Sequence, residues 1–394
     1  MSLRLVDSLE DRLERARAVA PRFEALGEER RIELLLRATE TLRELAASQQ
    51  EALAGSSGLR VSNVRWGVET TLESVTADAL ASIVHHARLA GPARTTMRPR
   101  GVHAVILAGN VFTASLRALY VPLCLGNPVI AKASPRSDLF AHLVARALSE
   151  TDPIFRDAAA VVTFSSDEVA LTDLLLSRAH TVAAYGSDET IRAIQMRLGS
   201  GTRLLPHGHG LGLAYIEGEG TDADAEAFAE DVIAYDQRGC LSPHALLTTG
   251  DAHAFAERLR KALSGASFRR PRGSLPVEVG AAQVQWRGVA QARGDLFEGL
   301  DFAVSVEGAG RPRLSPGYRN VSITTVADRA EFVRIASSFG AHLKAVGVGG
   351  IEPQALALPP GSVPRISKLG AMQRPPIDAP WEGAPPHDGL VAYL

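Results

Sequence analysis

Among the residues able to do covalent chemistry, Cys240 stands out for its surroundings, Asp236-Gln237-Arg238-Gly239-Cys240-Leu241-Ser242-Pro243-His244. A cysteine thiolate attacks acyl and carbonyl carbons, whereas a thiol sealed in apolar packing is inert. Composition alone leaves both readings open, because free cysteine is among the most buried residue types. His244 follows four residues later, and imidazole titrates near neutrality, which suits it to proton transfer. The close histidine pairs, His85-His86 and His207-Gly208-His209, have no cysteine or carboxylate at ligand spacing, so no metal is assigned. After the first β-rich run the chain reads GNVFTAS in place of a GxGxxG fingerprint, and no GxxxxGK[ST] loop occurs, so both common phosphate-cradling motifs are absent.

The elements that must position these residues follow from periodicity. From Leu3 to about His86, apolar residues recur at helical spacing, with a break at Gly55-Ser56-Ser57-Gly58, which predicts an N-terminal helical layer. Beyond the polar linker Gly91–Thr96, short β-rich runs alternate with helical ones. Strands are expected over 102–107, 128–132, 160–164 and 181–185, with helices over 113–125, 138–148, 168–177 and 188–198. Four such units predict a parallel, doubly wound sheet whose ligands bind at the carboxyl ends of its strands, where Asn110 and Lys132 fall. The glycine-rich crossing Pro206-His207-Gly208-His209-Gly210 reads as too flexible for a strand interior. A second block beyond it carries helices over 222–236 and 252–263 and strands near 245–248, 321–324 and 343–346. The expected domains are therefore 1–207, holding the helices and a nucleotide-binding fold, 208–375, holding Cys240, and a tail 376–394 that returns to the first domain or serves an oligomer interface.

Bulk composition narrows the function classes. The 394 residues are 46% hydrophobic and 22% charged, ordinary globular material with enough apolar residues for two cores. A formal net charge of −2 gives no electrostatic footprint for nucleic acid or an anionic membrane. Two cysteines cannot build a disulfide framework, and the first residues, MSLRLVDSLEDRLERARAV, contain no apolar stretch followed by a cleavage site. The expected compartment is the cytoplasm. No apolar run reaches the roughly 18 residues of a spanning helix.

Taken in order, Gly101-Val102-His103-Ala104-Val105-Ile106 with Asn110, Gly126-Asn127-Pro128-Val129-Ile130-Ala131-Lys132-Ala133-Ser134, Tyr185-Gly186-Ser187 and Gly239-Cys240 resemble the landmarks of the aldehyde dehydrogenase superfamily. The spacings from Asn110 to Lys132 to Gly186 to Cys240 are 22, 54 and 54 residues. Within that superfamily, Cys240-Leu241-Ser242-Pro243 after Asp236-Gln237 resembles the LuxC-type acyl-CoA reductases. Ser315-Pro316-Gly317-Tyr318-Arg319, Leu343–Val348, Pro364-Arg365-Ile366 with Gly370-Ala371-Met372, and Trp381-Glu382-Gly383 resemble that family's closing segments. Coverage runs from about residue 100 to 390; the N-terminal helices match in character only.

The resemblance implies an α/β fold with two Rossmann-like parallel-sheet domains. It also implies reduction of an acyl-CoA to an aldehyde through a thioacyl intermediate on Cys240. Asn110 would donate to the carbonyl oxygen as charge develops there, together with the Cys240 backbone N–H, and His244 would shuttle a proton. Lys132, Ser134, Arg136, Gly186 and Ser187 would hold the cofactor. In Lys132-Ala133-Ser134-Pro135-Arg136 no acidic residue stands where it would repel a 2′-phosphate, which permits NADPH, with NADH as the alternative. The crossing at 206–210 lacks the glutamate that activates water in hydrolytic relatives, so a thiol such as CoA would make or consume the thioester. The resemblance further implies a homo-oligomer and an acyl-protein synthetase as partner. Two other readings stay open: reduction of an acyl phosphate, as in glutamyl-phosphate reductases, and a catalytically inactive acyl-carrying or assembly partner.

Overall fold

The computed structural model of the protein describes residues 3–135, 137–359 and 364–394. The chain divides into two units, one formed by 1–57, 68–209 and 376–394 and the other by 58–67 and 210–375.

The first unit is built on a five-stranded parallel sheet. After the short β1 (Met97–Pro99) come β2 (His103–Ile106), β3 (Val129–Ala133), β4 (Ala159–Thr163), β5 (Thr181–Tyr185) and β6 (Arg203–His207). The last five lie in the order β4-β3-β2-β5-β6. Strands β2 to β5 are nearly continuous apolar runs because both faces are covered, whereas the edge strand β6 is partly exposed. On one face Ala104, Ile106, Ile130, Val182 and Ala184 share a core with Leu171 and Leu175 and with Leu9, Leu13 and Ala16 of the helix Leu3–Ala25. Buried leucines such as Leu9 and Leu13 each contribute about 1.5–3 kcal/mol, which ties the N-terminal helix to the sheet. Strand order reverses between β2 and β5, the position at which doubly wound sheets open a ligand crevice.

The second unit holds a seven-stranded sheet: β7 (Leu211–Ile216), β8 (Pro243–Thr248), β9 (Gly294–Glu298), β10 (Ala303–Glu307), β11 (Asn320–Thr325), β12 (Leu343–Gly349) and β13 (Arg365–Lys368). Their order is β13-β12-β7-β8-β11-β10-β9, parallel except for the edge strand β9. Alternate residues face opposite layers. Ala214 and Ile216 join the helices Asp222–Ile233 and Ala252–Arg269, while Leu213 and Tyr215 join Phe332 and Ile335 of the helix Arg329–Ser337. The final strand, β14 (Val391–Tyr393), belongs to the first unit and pairs antiparallel with β1. Among the described residues no helix is long and apolar enough to cross a membrane.

Two local expectations are corrected. Pro206 and His207 end the strand β6; β6 is an edge strand, where a residue without an N–H costs no ladder bond. The helix expected to reach Asp236 ends at Ile233, and the chain enters a short turn, Ala234–Gln237, in which Tyr235, Asp236 and Gln237 have φ of 50°, 53° and 59°.

Candidate active site

In the first unit the carboxyl ends of β2, β3 and β5 share one edge of the parallel sheet, and they carry five of the expected residues. Asn110 is exposed in the loop between β2 and the helix Ala114–Cys124. Lys132 lies near the end of β3, only 8% exposed, with its ammonium 5.6 Å from the centre of the Phe164 ring. Burial lowers its pKa, and no carboxylate pairs with it among the described residues. A desolvated cation at a strand end suits a phosphate oxygen. Ser134 follows in a half-buried turn. A Cβ on Gly109 would stand 3.2 Å from Ser134 Oγ, so the loop bearing Asn110 and the turn bearing Ser134 run against each other through a glycine. Gly186 and Ser187 follow β5, across the order reversal from Asn110. Ser187 caps the helix Asp188–Gln195, its hydroxyl accepting from Thr190 N, and Asp188 and Glu189 occupy the first turn. Capping accounts for the Ser187 hydroxyl without a ligand, and the two acids oppose an anion at that helix end. Arg136 lies outside the described residues.

A cavity of about 300 Å³ also belongs to the first unit and is lined in part by His103, Arg117, Tyr185, His207, Trp381 and Glu382. His207 stacks on Tyr185 with ring centres 4.4 Å apart, and its buried Nδ1 has no hydrogen-bond partner among the described residues, lying 3.7 Å from Glu382 Oε1. The crossing thus has no carboxylate of its own, yet the tail brings one beside it. Glu382 and Gly383, both at positive φ, form a tight turn closed by paired backbone bonds between Trp381 and Ala384.

In the second unit the two readings of a cysteine separate. Cys240 is half-buried in a turn where Ser242 N donates to Gly239 O at 3.0 Å and Gly239 N donates to Ser242 Oγ at 3.1 Å. Cys124, in the first unit, is the sealed thiol: it is fully buried, its Sγ donates to Leu80 O, and burial pushes its pKa up to about 12. The Cys240 turn rests on Gly212 at the start of β7, where a Cβ would meet Leu241 O at 2.5 Å. A glycine is required there by close approach.

Residues not singled out by type hold this turn. Left-handed backbone costs roughly 1–2 kcal/mol per residue for a non-glycine, so three such residues in succession need strong partners. Asp236 Oδ1 accepts from Arg319 Nε and Nη2 at 3.0 and 2.6 Å and from Asn63 Nδ2 at 3.3 Å, while its Oδ2 accepts from Gly273 N at 2.8 Å. Arg319 is fully buried and also donates to Asp301 and Ser267. Gln237 donates to Pro243 O and Asn320 O and accepts from Asn320 N. His244, half-buried at the start of β8, places Nδ1 2.9 Å from Ser315 O. A carbonyl can only accept, so Nδ1 carries the proton of the neutral ring and Nε2 the lone pair. The segment Ser315–Asn320 therefore supplies partners for Asp236, Gln237 and His244. In the sequence DQRGC and SPGYRN stand about 80 residues apart as separate family-like segments, and only the fold shows that they meet.

The fold is aldehyde dehydrogenase-like. The fold superposes on aldehyde dehydrogenase 21 from Physcomitrella patens with a TM-score of 0.76 at 14% identity, covering 98% of this chain and 89% of that one. It superposes on a glyceraldehyde-3-phosphate dehydrogenase from Methanocaldococcus jannaschii, complexed with NADP, with a TM-score of 0.74 at 13% identity, covering 98% and 93%. Residues 36–393 match the model of the acyl-CoA reductase (LuxC) family, and the chain belongs to that family. Curated relatives include the long-chain acyl-protein thioester reductase of Aliivibrio fischeri, 24% identical over 60% of this chain, and long-chain acyl-protein thioester reductase 2 of Photobacterium leiognathi, 25% identical over 47%. The matches span 51% and 40% of those relatives' own lengths.

Proposed function

We propose that this chain is an oxidoreductase that reduces an acyl thioester to the aldehyde, with Cys240 receiving the acyl group and NADPH as reductant. The observation that carries the reading is the contrast between the thiols: Cys124 is sealed, whereas Cys240 is partly open on a turn anchored by buried polar side chains. In this reading the Cys240 thiolate adds to the thioester carbonyl, and collapse expels the donor thiol and leaves the acyl group on Sγ. The Asn110 amide donates to the carbonyl oxygen while charge sits there. His244 Nε2 takes the Cys240 proton and returns one to the departing thiol. The nicotinamide, when bound, supplies a hydride. Lys132, Ser134, Arg136 and Gly186 are the residues we assign to hold it; Ser187 is taken up by capping the helix Asp188–Gln195 and is not among them. The absence of a carboxylate after Lys132 favours the 2′-phosphate, hence NADPH over NADH.

The family description favours acyl-CoA as donor, and the names of the two relatives favour an acyl group carried on a protein. NADPH oxidation measured against acyl-CoAs of graded chain length, an acylated protein and an acyl phosphate tests the reading. Aldehyde formation from a thioester is expected, and turnover of the acyl phosphate alone would overturn it.

A further inference from the structure

Gln237 holds the Cys240 loop in an unusual way. The β8–β11 ladder begins at Ser322↔Ala245, and two residues earlier on each strand stand Asn320 and Pro243. The Gln237 carboxamide occupies the gap between them. Its Nε2 donates to Pro243 O at 2.6 Å and to Asn320 O at 2.8 Å, and its Oε1 accepts from Asn320 N at 2.9 Å. The side chain is 2% exposed. One side chain thus closes residues 237–243 into a ring containing Cys240 and pins that ring to two strands. Two donors and one acceptor in a single plane, at this reach, are the signature of a primary amide.

We propose that Gln237 is a positioning residue that fixes Cys240 for acyl transfer by bridging the mouths of β8 and β11. This rests on the proposed role of Cys240. A glutamate at 237 is the discriminating substitution. Ionised, it sets negative charge against two carbonyl oxygens; protonated, it donates to one of them. The charged and titratable groups around the site are Asp236 and Asp301, both paired with Arg319, Arg238 on Tyr235 O, Arg272 on Tyr318 O, Arg287 on Asn320 Oδ1, His244 on Ser315 O, and the Cys240 thiol itself. All are common to the wild type and the variants, so the wild-type pH profile serves as the reference.

The test compares wild type, Gln237→Glu and Gln237→Met. At pH 8 both variants lose about 10²-fold in kcat, as expected of a sub-ångström to 1 Å misplacement, with KM for acyl-CoA and NADPH within threefold of wild type. Relative to wild type, Gln237→Glu regains about tenfold or more by pH 5.5, and Gln237→Met regains nothing. Iodoacetamide alkylation of Cys240, followed by peptide mass spectrometry with Cys124 as internal reference, shows the same order. If Gln237→Met does not fold, the two pH values within Gln237→Glu carry the test. A folded Gln237→Glu with wild-type kcat, or with no recovery at low pH, overturns the inference. If the wild type turns over no thioester, the proposed function has failed, and the alkylation rates alone decide this inference: rates within threefold of wild type at both pH values overturn it.

Discussion

Replacing Arg319 by methionine removes the cation from the most buried ion pair in the second unit. Arg319 is 0% exposed, makes two bonds to Asp236 at 3.0 and 2.6 Å and one to Asp301 at 2.9 Å. Methionine fills much of the volume, so the dominant cost is the uncompensated charge on Asp236, left with Asn63 and Gly273 N as donors. Breaking a buried pair from one side costs about 3–5 kcal/mol. For a unit of this size each kcal/mol shifts Tm by roughly 2–4 °C, so a drop on the order of 10 °C is expected. Two of the three tryptophans, Trp66 and Trp286, lie in this unit, so guanidinium unfolding read by their fluorescence reports it. Adding Asp236→Asn to Arg319→Met should recover part of the loss, because the buried charge is then gone. A loss below about 1 kcal/mol in Arg319→Met, or a double variant less stable than the sum of the singles, would refute the reasoning.

Asp231 is buried, and desolvation raises its pKa to about 7 although Gly370 N and Met372 N donate to it at 2.6 and 2.9 Å. A raised acid stabilises the fold when protonated, so its contribution is full below about pH 4 and is lost as pH rises through about 7. Asp231→Asn should remove that slope from unfolding curves of the second unit. His103 behaves oppositely: burial, with His207 nearby, lowers it to about 3, and it hydrogen-bonds Thr181 Oγ1 at 2.6 Å. Its contribution is present above about pH 6.5 and lost as pH falls toward 3, so His103→Gln should flatten the acid limb of the first unit. Lys132→Met should weaken NADPH binding about tenfold or more in calorimetry, the worth of one charge-assisted contact, with a smaller effect on NADH if the 2′-phosphate is what it meets.

How much of this was legible in the sequence depends on which interactions are local. The strands β2, β3, β4 and β5 are apolar runs of four or five residues bounded by turn residues, and short-range pattern suffices to find them. The helix Val277–Arg293 and the edge strands β9 and β13 were not foreseen, since they bury few of their residues and so carry a weak apolar pattern. The order of landmarks singled out Cys240 as a candidate, because chemistry depends on residue type, and its half-buried turn is compatible with that candidacy. The left-handed run at Tyr235–Gln237 was not legible: it contains no glycine, its apolar spacing continues a helix, and what stabilises it arrives from Arg319 and Asn320, about 80 residues later. Glu382 beside His207 was hidden for the same reason, since a tail residue meets an edge strand only in three dimensions.

The central claim is that Cys240 carries the acyl group, and intact-mass spectrometry tests it most directly. Incubation with an acyl-CoA in the absence of NADPH should add one acyl mass, mapped by peptide analysis to Cys240. NADPH should discharge it as aldehyde, and Cys240→Ala should remain unlabelled with Cys124 untouched. An acyl adduct that persists on the Cys240→Ala protein, or no adduct on a wild-type chain that still forms aldehyde, would contradict the account.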